Sequence, residues 1–240
     1  MTWLWRICFS LLLGWHAAGA TVSGSVRLAD SRVPAVRKHQ DYSGVVVWLE
    51  PVHPSAIERV STPPRQVRME QKDKRFVPHV LAIEAGSSVS FPNLDPIFHS
   101  AFSNFSGQVF DLGLYPPGSS RNIVFTRIGV VRIFCNIHPS MSAIIVVLKY
   151  PWFTISDGAG AFAISHVPPG EYTVHVFHER ATEKTLDALR RKISVPEAGL
   201  DLPAMTISET GYLEAPHKNK YGRDYPAMSD DHGAYPVHQK

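Results

Sequence analysis

Cys135-Asn136-Ile137-His138-Pro139-Ser140-Met141 lies between two apolar runs, Val130 to Cys135 and Ala143 to Leu148, whose β-branched residues mark them as strands. The loop therefore joins two neighbouring strands and gathers a thiol, an imidazole and a thioether within seven residues. His99, at the end of an apolar strand upstream, adds a second imidazole. Cys and Met are soft donors that suit Cu(I), and imidazole suits copper in both oxidation states, so this set is a ligand list for one mononuclear copper ion. Zinc fits less well, because structural zinc takes four Cys or His donors rather than a thioether.

The same strand-like pattern runs through the rest of the chain. Val22 to Leu28, Val45 to Leu49, His79 to Ala85, Ser88 to Phe91, Asn122 to Thr126, Gly160 to Ile164 and Tyr172 to Phe177 are short and rich in β-branched or aromatic residues. Pro63-Pro64, Pro116-Pro117-Gly118 and Pro168-Pro169-Gly170 punctuate them. Ala181 to Ile193 is the one helical candidate, with Leu186 and Leu189 three apart, and it reads equally as a surface loop. The fold class expected is all-β, built as sandwiches.

The first 20 residues look like an export signal. Arg6 supplies the positive region, Ile7 to Trp15 the apolar core, and Ala18-Gly19-Ala20 a small-residue cleavage site before Thr21. The apolar run is interrupted at His16 and is shorter than the ~20 residues a membrane span needs, so no span is expected in the mature chain. Cys8 leaves with the signal. Cys135 then remains as a single thiol in an exported protein, which makes it an intermolecular bridge, a free thiol or a ligand, and the surrounding donors favour ligand. The compartment expected is periplasmic if the cell is Gram-negative. Losing Arg6 takes the formal charge from +3 to +2. No basic stripe interleaves with aromatics, so nucleic acid is not an expected partner.

The segment from about Arg65 to Tyr150 resembles the cupredoxins, and most closely their short-loop kind typified by amicyanin. Phe76-Val77-Pro78 leads into a strand, and Ile83 to Phe91 gives the turn and strand of the family. Asn93 precedes His99 by six positions, Gly129 precedes Cys135 by six, and Cys-x-x-His-x-x-Met closes the site. The resemblance implies a Greek-key β-sandwich holding one type 1 (blue) copper, with Cys135, His99 and His138 in a trigonal plane and Met141 as the weak axial ligand. It also implies that Asn93 bonds across to the loop after the cysteine, where the facing residue is Asn136. Asn93 reads otherwise as a turn residue before Asp95-Pro96. By the same resemblance, His138 with Pro139 beside it is the electron port. Val131, Ile133 and Ser100 depart mildly from the family pattern, which bears on potential and spectrum rather than ligation.

A second resemblance is split. Val22 to Val26 and Gly44 to Leu49 look like the first strands of a carboxypeptidase-regulatory-like domain, a transthyretin-like sandwich. Its later half matches Ser156-Asp157-Gly158-Ala159-Gly160-Ala161-Phe162 and Val167-Pro168-Pro169-Gly170-Glu171-Tyr172. The organisation expected is thus a signal at 1–20, a discontinuous sandwich at 21–52 and 151–207, a linker at 53–65, a copper domain at 66–150 and an extended or disordered tail at 208–240. The matched residues are turn formers and large core groups, and imply no catalysis.

His175 and His178 are three apart in a strand, which sends them to opposite faces and makes a poor chelate. His217, His232, His238 and Met228 lie in the tail, where a part in copper capture is the alternative to mere extension. No His-x-His pair, second cysteine in the ligand loop or hydrolase elbow is present, so no catalytic residues are expected. Two functions stay open. One is an exported electron carrier of the methylamine-utilisation type, with a redox protein such as an amine dehydrogenase or a cytochrome as partner. The other is a non-redox copper module for storage, delivery or surface assembly.

Overall fold

A computed structural model describes residues 19–54, 65–104, 107–213 and 217–225. Most of the expected signal, most of the expected linker, and His232, His238 and Met228 lie outside the described residues. The chain opens with β1 (Ala20–Ala29), a short helix α1 (Pro34–His39) and β2 (Val46–Pro51). Ten strands follow: β3 (Gln66–Arg68), β4 (Glu70–Lys72), β5 (Arg75–Val77), β6 (Val80–Glu84), β7 (Ser87–Pro92), β8 (His99–Ser103), β9 (Phe110–Tyr115), β10 (Ser120–Phe125), β11 (Gly129–Phe134) and β12 (Ser142–Leu148). The chain then runs through β13 (Phe153–Ile155), β14 (Ala161–Val167), β15 (Gly170–Phe177), α2 (Glu183–Ala188), β16 (Arg191–Val195), β17 (Leu200–Asp201) and β18 (Met205–Ser208). The architecture is all-β.

These strands fall into two sets. In the first, sheet β14-β1-β17, with β18 also paired to β1, faces sheet β13-β2-β15-β16. Alternation decides which side chains meet: Val22, Val26 and Leu28 of β1 pack with Val47 and Leu49 of β2 and with Tyr172, Val174 and Val176 of β15. In the second, sheet β10-β7-β3 faces sheet β6-β12-β11-β8-β9. Val89 and Phe91 there meet Val131, Ile133, Ala143, Ile145 and Val147, with Phe125 alongside.

β12 belongs to two cores. Ala143, Ile145 and Val147 fill the second sandwich, while Ile144, Val146 and Leu148 on the other face pack with Val46 and the partly buried Trp48, Val80 and Phe153. Its sequence is a continuous apolar run because both faces are covered. Each such aliphatic side chain contributes about 1.5–3 kcal/mol on full burial, so the contact between the sandwiches is a substantial apolar interface.

Tight turns fix the first sandwich. The Asp157 carboxylate accepts from the Ala161 amide at 2.9 Å, and Gly160 sits at φ +82° with its carbonyl accepting from Val26 N–H at 2.8 Å. A Cβ on Gly160 would lie 2.1 Å from the Val26 oxygen, so only glycine allows this approach.

The helices differ from expectation. The helix expected over Ala181 to Ile193 is capped by Thr182, whose hydroxyl accepts from Thr185 N–H, and ends at Ala188. Beyond it Ile193 pairs with Tyr172 in a strand, so sheet pairing overrides the weak helical spacing. α1 was not expected. Pro34 starts it, Gln40 ends it in the left-handed conformation, and only Val36 is buried, which leaves no apolar stripe to read.

Candidate metal centre

The strand order brings the ligand-bearing segments together. His99 opens β8, Cys135 directly follows β11, and β8 lies beside β11 with Phe102 paired to Phe134. The loop between β11 and β12 closes tightly: Cys135 N–H donates to Met141 O at 3.1 Å and Met141 N–H to His138 O at 3.0 Å. This folds Met141 back under the cysteine, fully buried and in the same core as Cys135.

Donor atoms of His99, Cys135 and His138 all lie within 4.8 Å of one another. Cys135 Sγ is 3.7 Å from His138 Nδ1 and 3.9 Å from His99 Nδ1. Two ligands at the usual metal distances of about 2.0–2.3 Å, opened to 120°, stand about 3.8 Å apart, so the three donors fit one metal ion. His99 and Cys135 are fully buried, and His138 is 7% exposed.

Electrostatics favour the thiolate of Cys135. Burial pushes the Cys135 thiol up, but the His138 and His99 imidazoles, helped by the Ile137 and Ser100 backbone amides, hold its pKa down at about 5. Burial pulls His99 down, and its contacts with Cys135 and Asp95 outweigh this and raise it. The Asp95 carboxylate accepts from His99 Nε2–H at 2.8 Å and leaves Nδ1 facing the sulfur. Asp95 is held in turn by the Asp73 and Lys74 amides, at 2.6 and 2.9 Å, and stays below the usual carboxylate range despite burial.

The bridge expected from Asn93 to Asn136 is not the one formed. The Asn93 amide donates to Ile97 O at 2.8 Å and its oxygen accepts from Asp95 N–H at 3.1 Å, so Asn93 shapes the turn before His99. Ser100 ties the two ligand loops instead. Its hydroxyl accepts from Asn136 N–H at 2.8 Å and lies 3.8 Å from Cys135 Sγ, which places the connection one residue after the histidine because the short turn keeps Asn93 local. Asp95 and Ser100 were not assigned these parts from sequence. Asp95 four residues before His99 was the available signal.

Part of the tail expected as an extended or disordered terminus also reaches the site. Tyr225 OH donates to Cys135 O at 2.7 Å, and Lys220 N–H donates to the Asn136 side-chain oxygen at 3.0 Å. Interleaved Pro, Lys and Asp gave no apolar period from which to read that docking. His175 and His178 do not meet: His175 stacks on Trp48, and His178 Nε2 lies 3.1 Å from Glu209.

No protein-family model and no curated protein matches this chain. Among solved structures, 42% of the chain is similar to 26% of a copper-containing nitrite reductase from Thermus scotoductus SA-01, with 27% identity and a TM-score of 0.35. The chain thus spans about a quarter of that enzyme. A purple cupredoxin from Nitrosopumilus maritimus matches over 34% of this chain and 99% of its own, with 22% identity and a TM-score of 0.32. Amicyanin from Paracoccus versutus matches over 42% and 97%, with 18% identity and a TM-score of 0.33. Among the described residues no helix is long and apolar enough to cross a membrane.

Proposed function

We propose that this chain is an exported type 1 copper protein that carries single electrons between redox partners. The observation that carries the proposal is the convergence of three buried donors, His99, Cys135 and His138, within 4.8 Å, with the buried Met141 closing their loop. Thiolate and imidazoles suit copper and zinc alike, the thioether of Met141 favours copper, and copper when bound supplies a one-electron couple.

The chain's own residues prepare that chemistry. Cys135 offers a thiolate at neutral pH, Asp95 fixes the His99 ring so that Nδ1 faces inward, and Ser100 holds the loop after the cysteine against the start of β8. A buried, cross-tied donor set moves little between oxidation states, which favours fast electron exchange. The first sandwich acts in this proposal as a non-enzymatic support of the carboxypeptidase-regulatory-like kind, since its β2 and β13 cover the outer face of β12, the strand that follows Met141. The leader pattern at 1–20 supports export, to the periplasm in a Gram-negative cell. An amine dehydrogenase or a cytochrome is the kind of partner proposed, by the resemblance to amicyanin.

A non-redox copper module remains the second proposal, favoured by the near-complete burial of His138, whose edge serves as the port in the first. Titrating residues 21–240 with Cu(II) under visible and EPR spectroscopy tests both. An intense blue thiolate band at one equivalent, bleached by ascorbate and restored by oxidant, supports electron transfer. Copper uptake without reversible cycling supports the module, and no uptake overturns both.

A further inference from the structure

The described part of the C-terminal segment, residues 217–225, lies across the ligand loop. The His217 ring stacks on Phe134, centroids 4.1 Å apart, and its Nε2–H donates to Pro139 O at 2.6 Å. Tyr225 packs edge-on against His217 and donates its hydroxyl to Cys135 O at 2.7 Å. Between them Lys220 bonds Asn136 through its backbone and Asp111 of β9 through its ammonium at 2.8 Å. Carbonyls on both sides of His138 and the side chain next to the cysteine therefore find partners outside their own loop. A loop of seven residues has few internal hydrogen bonds to hold it, and unpaired carbonyls would leave it free to open.

We propose that residues 217–225 form a strap that closes the metal centre, with Tyr225 and His217 as positioning residues for the Cys135–Met141 loop. The strap shields the Cys135 sulfur from solvent reagents and slows exit of a bound metal, and a docking partner meets the strap before it meets His138. This rests on the copper reading for its purpose, while the shielding itself does not need a metal.

Two measurements on the full exported chain separate these. In metal-free protein, the rate at which iodoacetamide alkylates Cys135 is compared among wild type, Tyr225→Phe and the double variant Tyr225→Phe/His217→Ala. The strap predicts a modest acceleration in the single variant and at least a ten-fold one in the double, with far-UV circular dichroism and thermal midpoint nearly unchanged. Equal rates in the wild type and double variant would overturn the strap whether or not copper binds. In copper-loaded protein, transfer of Cu(I) to bathocuproine disulfonate should quicken by a similar factor in the double variant. Failure of every chain to take up copper would count against the proposed function, and the alkylation rates would still decide the strap.

Discussion

Asp95 Oδ2 accepts from His99 Nε2–H at 2.8 Å, four residues apart and with both side chains almost wholly buried. A carboxylate on the far nitrogen settles which imidazole nitrogen is free for a metal and how the ring is turned. The bond is itself anchored, since Asp95 accepts two backbone amides from the turn between β4 and β5. Replacing Asp95 by Asn removes the charge while keeping the shape. Copper affinity of Asp95→Asn should fall about 10–100-fold, the usual cost of losing such an outer partner, as measured by competitive chelator titration.

Among the proposed ligands, Cys135 has the least room for substitution. Cys135→Ser should abolish any blue band and leave the circular dichroism spectrum of the sandwich intact. In the metal-free wild type, the thiolate absorbance near the far ultraviolet should persist as pH falls from 8 and disappear around pH 5, because the two imidazoles overcome the burial that would otherwise push the thiol up. A midpoint in the ordinary thiol range, about 8.5, would contradict this arrangement.

His79 Nε2 lies 2.8 Å from Glu179, and its Nδ1 lies 3.0 Å from Ser142 O, so both ring nitrogens have acceptors and the protonated form is favoured. The Glu179 carboxylate raises the His79 pKa against the opposing effect of burial. A base raised on folding stabilises fully below its unfolded value, about 6.5, and loses that contribution as pH rises through the folded value. His79→Gln should therefore lower the thermal midpoint more at pH 6 than at pH 9. With the ring half exposed the difference is at most about 1 kcal/mol.

Gly160→Ala should destabilise the chain by at least about 2 kcal/mol in urea unfolding, since a left-handed backbone alone costs roughly 1–2 and the new methyl meets the Val26 oxygen. Gly86→Ala offers a control. Its φ is also positive, but nothing lies within 4 Å of the added carbon, so it should cost the backbone term alone.

Ile144→Ala removes a buried side chain from the face of β12 that meets β2, and should cost about 2–5 kcal/mol in the same assay. Smaller effects would mean that the two sandwiches part easily.

What the sequence made legible follows from how local each signal is. Strands such as β2, β7, β11 and β12 were readable because β-branched or aromatic residues mark them. β8 and β9, which pair with each other, were not, since His99-Ser-Ala-Phe-Ser and Phe110-Asp-Leu-Gly-Leu-Tyr mix polar and small residues among the apolar ones and hold no β-branched residue. Within the site, Cys135, His138 and Met141 announce themselves by spacing. Asp95 and Ser100 act through side-chain hydrogen bonds that no periodicity records, and Tyr225 reaches Cys135 across 90 positions. Contacts of that span depend on the finished fold.

Excising the sandwich that holds His99, Cys135 and His138 as a minimal unit would uncover Ile144, Val146 and Leu148 beside Val80 and Ala82 as one continuous oily sheet face on the strands flanking its edge. Such a fragment would carry every donor atom and yet be prone to stick to itself. The support sandwich is in this sense a solubility shield as much as a scaffold, and shortened versions of the chain will need polar replacements on that face before their metal chemistry can be studied.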